Sequence, residues 1–293
     1  MIVEACETDT GVAQIDSLRL DIEETARRAA LFYRHFDERV AEEARRLQQW
    51  GATAVVSDAP PLAVAAADRA GIPAVVVANF TWDWIYAFYP EFESLAPGVI
   101  DRIAGAYARA ALALRLPIAG GFQSMAGLVR DIPLIARRSR RSRDETRRLL
   151  AIEATRPAVL PSFDSHGIAL PYDRVERSGV TVVTADRWPA GLHYEDLVAA
   201  VDAVVSKPGY GIVSECAANE TPLLYTSRGP FAEYECMVDE MPRLVKCRFI
   251  PPEELLSGRW RGALDALLAQ EGPAEPPRVD GAAVAASMIL ELV

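Results

Sequence analysis

Short uninterrupted apolar runs alternate along this chain with segments whose apolar positions recur every three or four residues. Met1 to Cys6, apolar but for Glu4, predicts a strand that starts almost without lead-in, followed by a polar loop to Leu20. From Ile22 to Trp50 one stripe carries Ile22, Ala26, Ala29, Tyr33, Phe36, Val40 and Leu47, with charged residues opposite. This predicts one long helix, with Gly51 placed to cap its C-terminus. A β-α-β unit follows: strand Ala54–Ser57, helix Pro61–Ala70, Gly71 as the stop, strand Ala74–Val77. Neither strand alternates with polar residues, as expected of parallel strands covered on both faces. Pro90 to Arg130 reads as helical and apolar, with a buried helix over Ala104–Leu116 and a loop over Pro117–Ala126.

The second half repeats the rhythm. The basic stretch ARRSRRSRDETRRLL from Ala136 marks a domain boundary, and Ser142 with Glu145 forms a capping box. Strands are predicted at Ala158–Phe163, Val180–Thr184, Ala203–Ser206, Pro222–Thr226 and Cys247–Ile250. Helices are predicted at Tyr194–Ala200, Ile212–Ala218, Phe231–Met241, Pro252–Leu256 and Gly262–Gln270. A Pro-rich tether from Gly272 to Pro277 leads to a last helix, Gly281–Leu292, expected to fold back on the first domain. The division is therefore 1–135, 136–276 and a C-terminal helix in 277–293, an α/β chain of two Rossmann-like domains facing a cleft.

Composition narrows the chemistry. With 293 residues, 51% hydrophobic and 25% charged, the chain is long enough for two ordinary cores. A net charge of −10 and no basic face argue against nucleic acid as a partner; a nucleotide can still be held by backbone amides. Cys6, Cys216, Cys236 and Cys247 lack metal-ligand spacing and fit reduced thiols of a cytoplasmic protein. No signal sequence and no membrane span are evident.

One stretch carries the candidate chemistry. Val201–Val205 is a strand, Ser206 to Gly211 is a turn broken by Pro208, Gly209 and Gly211, and a helix begins at Ile212. Strand, glycine turn and helix N-terminus make an anion pocket from free N–H groups and the helix dipole. Glu215, one turn in, is placed to reach sugar hydroxyls beside a phosphate. Asp58 stands directly after the first strand of the β-α-β unit, either as the N-cap of the next helix or as a functional acid. Asn79, Phe80, Thr81, Trp82, Asp83 and Trp84 follow its second strand. Their aromatic rings suit either the core or stacking on a sugar. His35 reads as a packed or surface residue.

Taken together, VVSDAPPLAVAAA, NFTWDWIY, IPLIARRSRRSR and VVSKPGYGIVSE resemble the GT-B glycosyltransferases over essentially the whole chain. The nearest likeness is to the glycosyltransferase-like group that includes the N-terminal half of plant L-arabinokinase. The resemblance implies transfer of a sugar from a nucleotide-activated donor, with UDP as the nucleotide, to the hydroxyl of a small-molecule or lipid-linked acceptor. It implies no cofactor and no metal. Gly209, Tyr210 and Gly211 would meet the donor diphosphate, with Ser206 and Ser214 nearby, and Glu215 would hold the ribose. Arg228, Gly229, Phe231 and Glu233 would contact the donor sugar. Asn79, Thr81, Trp82, Asp83 and Trp84 would line the acceptor side, and Asp58 matches an aspartate that orients a catalytic histidine.

Two departures qualify that expectation. The family opens with a strand and a Gly-His-Gly-type loop that this chain does not contain, so Asp58 has no evident histidine partner. Loss of a central strand would expose a sheet edge, implying an upstream start, a neighbouring copy covering the edge, or a rearranged domain. The second domain begins with Ser162, Phe163, Asp164, Ser165, His166 and Gly167 where the family has a double glycine. His166 is then either the base or an incidental loop residue, and His193 either a nucleobase contact or a surface residue. The alternatives to a transferase are a non-catalytic descendant that binds a nucleotide sugar or a partner, and a sugar epimerase.

Overall fold

The computed structural model describes residues 3–163, 168–184 and 188–292. The chain folds into two compact α/β units, one made of the residues up to Ala13, Leu20–Pro133 and those from Asp280 onward, the other of Gln14–Arg19 and Leu134–Val279. A short ribbon pairs β1 (Gln14–Asp16) with β2 (Arg19–Leu20). Its turn is held by the Asp16 carboxylate, which accepts the N–H groups of Leu18 and Arg19 at 2.9 Å each.

In the first unit β3 (Val55–Ser57), β4 (Ala74–Phe80), β5 (Leu112–Gly120) and β6 (Val129–Asp131) form a parallel sheet in sequential order. β4 is the buried centre, with Val75 and Val76 fully covered, and helix Pro61–Ala70 crosses between β3 and β4 with Leu62, Val64 and Ala67 turned inward. Leu62 and Val64 each contribute about 1.5–3 kcal/mol on burial, and the single methyl of Ala67 less. The helix stops at Gly71, left-handed at φ 76°. β3 is an edge strand, and its Val56 is 54% exposed.

The second unit has five parallel strands in the order β11-β10-β9-β7-β8: β7 (Ala158–Ser162), β8 (Thr181–Val182), β9 (Ala203–Ser206), β10 (Leu223–Tyr225) and β11 (Cys247–Phe249). Here β9 is the central strand. Its core joins Val159, Ala203, Val205 and Leu224 to Leu255, Trp260, Leu264 and Leu267. Trp260 is fully buried, and its indole N–H donates to the Leu255 carbonyl at 2.8 Å.

Several expectations are corrected. Val3–Cys6 is irregular rather than a strand. The helix expected over Ile22–Trp50 is two, Ile22–Arg34 and Phe36–Gln49, broken at His35 (φ −105°, ψ 19°). The break packs three rings together: Tyr33 lies 5.2 Å from Phe32 and 5.0 Å from Phe36. The helix expected at Ala104–Leu116 ends at Tyr107, and Leu112–Gly120 is strand. Helix propensity in LALRL yields there to pairing with β4, which buries Ala113 and Leu114 completely. Pro117 falls in the stretch where the register with β4 shifts, so its missing N–H leaves the regular ladder intact. Asn79 and Phe80 belong to β4 itself, not to the loop after it. Helix Tyr172–Arg177 was not expected. Among the described residues, no helix is long and apolar enough to cross a membrane.

Candidate functional site

In the second unit β9 is buried along its length, and the chain turns through Lys207, Pro208 and Gly209 into helix Tyr210–Ala218. Gly209 is the N-cap, extended at φ −155°, and as a glycine it brings no capping side chain of its own to the helix start. Neither glycine is required by the protein's own packing. A Cβ at Gly211 would meet nothing within 4 Å, and one at Gly209 only the Arg228 Nη1 at 3.7 Å. The Arg228 guanidinium therefore sits beside the helix N-terminus, stacked 3.6 Å from the Phe231 ring centroid and paired with buried Glu233 at 3.4 Å. Gly229 is required for another reason: at φ 71°, a Cβ there would lie 2.9 Å from the Leu18 carbonyl oxygen.

Lys207 was missed in the sequence. It opens the turn, is only 9% exposed, and its ammonium donates to Gln14 Oε1 at 3.4 Å. A lysine between a buried strand and a glycine turn was the available signal. Ser206 and Ser214 are buried and turned inward, donating to the carbonyls of Ser162 and Gly211. The Tyr210 hydroxyl accepts the Ile135 N–H at 3.1 Å, tying the helix start to the preceding linker.

Glu215 is buried one turn into this helix, and Arg137 of the basic linker donates to it from Nε at 2.6 Å. Burial pushes the Glu215 carboxyl up, and Arg137 opposes that shift. Arg137 also faces Glu195 at 3.8 Å and lies 5.9 Å from the Tyr194 ring centroid. A groove of about 670 Å³ runs along this face, lined in part by Arg137, Arg141, His193 and Glu195. The exposed arginines read as a linker are thus partly spent on holding the helix that carries Glu215.

In the first unit the C-terminal end of the sheet is shaped by three buried residues with left-handed backbone: Ala59 (φ 71°), Ile118 (φ 59°) and Phe122 (φ 75°). Each is held by a polar side chain. Tyr107 donates to the Ala59 carbonyl at 2.5 Å, Asn79 to the Ile118 carbonyl at 3.4 Å, and Thr81 Oγ1 accepts the Phe122 N–H at 3.4 Å. Asp83 is buried, accepting from Ser124 at 2.5 Å and from the Trp84 N–H at 3.0 Å. The Trp84 ring fills the space that a Cβ at Gly120 would need, and Trp82 packs against Phe80 and Tyr86. These residues are gathered at the end of the sheet, with most of their polar groups directed at backbone.

Asp58 is different. It is exposed, makes no side-chain hydrogen bond among the described residues, and does not cap helix Pro61–Ala70, whose N-cap is Pro60. Partial desolvation pushes its carboxyl up. Asp9, absent from the sequence-based candidates, has its carboxyl pushed up chiefly by its own burial and further by the charge of Asp58, against the Gly11 N–H. The segment is moored by the Tyr86 hydroxyl, 3.0 Å from both Thr10 Oγ1 and the Gly11 carbonyl. His166 and Asp164 lie outside the described residues. His35 is exposed and bonded to Glu38, and exposed His193 donates its backbone N–H to Asp196 at 2.9 Å. Among the described residues no group of three or more His, Cys, Asp or Glu is placed to hold a metal ion.

The chain has the GT-B fold of solved glycosyltransferases. The calicheamicin glycosyltransferase CalG4 matches with a TM-score of 0.57 at 16% identity, over 90% of this chain and 80% of that one. LpCGTa, solved in complex with UDP, matches with a TM-score of 0.51 at 18% identity, over 89% and 75%. In sequence the chain is 29% identical to L-arabinokinase of Arabidopsis thaliana across 97% of its own length, and spans 28% of the length of that relative. No family model matches.

Proposed function

We propose that the protein is a glycosyltransferase that moves a sugar from a nucleotide-activated donor, UDP-linked, to an acceptor hydroxyl. The observation that carries the reading is the glycine turn after β9, where the helix N-terminus and the Arg228 guanidinium meet at Gly209, with open space beside Gly211. That arrangement suits a diphosphate. Glu215, one turn further, suits ribose hydroxyls. The GT-B fold and the UDP complex of LpCGTa support the same assignment.

In the reaction, a bond forms between the acceptor oxygen and the anomeric carbon as the bond from that carbon to the diphosphate breaks. The acceptor proton goes to a base, and the leaving electron pair stays on the diphosphate. Helix N–H groups, Arg228 and Lys207 would take up that charge, so the reading calls on no metal. Asp58 follows β3 directly as an exposed carboxylate, and its raised pKa suits a base.

One observation favours a second reading, a nucleotide-sugar-binding protein without transfer: among the described residues no histidine is hydrogen-bonded to Asp58. Calorimetry with UDP and UDP-sugars, followed by UDP release across an acceptor panel, separates the two. Binding with release supports the transferase. Binding without release favours the second reading, and absence of binding rejects both.

A further inference from the structure

We propose that Arg137 is a positioning residue of the nucleotide site, fixing one oxygen of Glu215 so that the other is presented, ionised, to a ribose hydroxyl. The inference rests on the donor reading above. Both Arg137 contacts, from Nε at 2.6 Å and from Nη2, go to Glu215 Oε1. Oε2 receives no hydrogen bond among the described residues, although the Glu215 side chain is only 9% exposed. A buried carboxylate held on one oxygen alone retains acceptor capacity on the other, and ribose hydroxyls are donors.

Arg137 is itself held from two further sides, by Glu195 at 3.8 Å and by the Tyr194 ring, whose hydroxyl donates to Ser162 Oγ at 2.6 Å. The groups bearing on Glu215 are thus Arg137, Glu195, Tyr194 and the buried thiol of Cys216. Burial and Glu195 favour the protonated acid, and Arg137 is the cation that opposes them. Without it, Glu215 takes up a proton at a higher pH and Oε2 loses its fixed orientation.

The test compares the full chain with its Arg137→Met and Arg137→Lys variants, with UDP as the probe. Two quantities are read: UDP affinity by calorimetry from about pH 5 to about pH 8, and the Glu215 carboxyl titration by carbon NMR without nucleotide. Arg137→Met should weaken UDP binding by about tenfold, with a larger loss at the acid end, and raise the Glu215 midpoint. Arg137→Lys should restore most of both. An unmoved midpoint, or tighter UDP binding by Arg137→Met, overturns the positioning role. A wild-type protein that binds no UDP overturns the donor reading and this role together. A wild type that binds, with Arg137→Met binding equally well, overturns this role alone.

Discussion

The Tyr107 hydroxyl donates to the Ala59 carbonyl at 2.5 Å and accepts the Trp82 N–H at 3.2 Å, joining the residue after Asp58 to the start of helix Trp82–Ala87. All three groups are buried, and Ala59 is held at φ 71°. Tyr107→Phe leaves a carbonyl and an N–H unanswered and should cost about 1–3 kcal/mol. Ala59→Gly removes a left-handed strain and should recover up to about 1 kcal/mol. Urea denaturation of each variant measures both.

Gly211→Ala separates folding from binding. The added methyl meets no protein atom within 4 Å and sits in a helix, so stability should be unchanged or rise by up to about 1 kcal/mol. If a diphosphate approaches this turn, UDP affinity should nonetheless fall at least severalfold. A variant that is as stable as the parent and binds UDP as well would place the ligand elsewhere.

Arg228→Ala should weaken UDP binding by about tenfold and reduce the dependence of affinity on salt, since it removes a cation at the helix N-terminus. Its removal also takes an ion-pair partner from Glu233, 4% exposed, so part of the effect will be seen as lost stability. Glu233→Gln alongside it distinguishes the two: this variant keeps the cation and should retain most UDP binding.

The carboxyl of Asp9 is pushed up mainly by burial. A folded pKa above the unfolded one means that the folded state binds the proton more tightly, so stability falls as pH rises through the raised value. Asp9→Asn cannot ionise and keeps an oxygen to answer the Gly11 N–H. It should be more stable than the parent at neutral pH, with the difference shrinking as pH is lowered toward about 4. Urea midpoints across that range show whether the gap closes.

What was legible in the sequence was local. The strand, glycine turn and helix around Gly209 are set by neighbours in the chain, and β9 and helix Tyr194–Ala200 fall where apolar periodicity put them. Leu112–Gly120 was misread because its alanines and leucines suit a helix equally well, and only β4, distant in sequence, decides between the two. The partner of Glu215 and the carboxyl that lies near Asp58 were hidden for the same reason. Arg137 is 78 positions from Glu215, and no periodicity brings Asp9 toward Asp58.

Asn79 and Thr81 illustrate a practical difficulty for anyone wishing to retarget such a protein. A library randomised at these positions to alter acceptor choice would discard clones for poor yield before any selectivity could be scored, because both side chains brace contorted main chain.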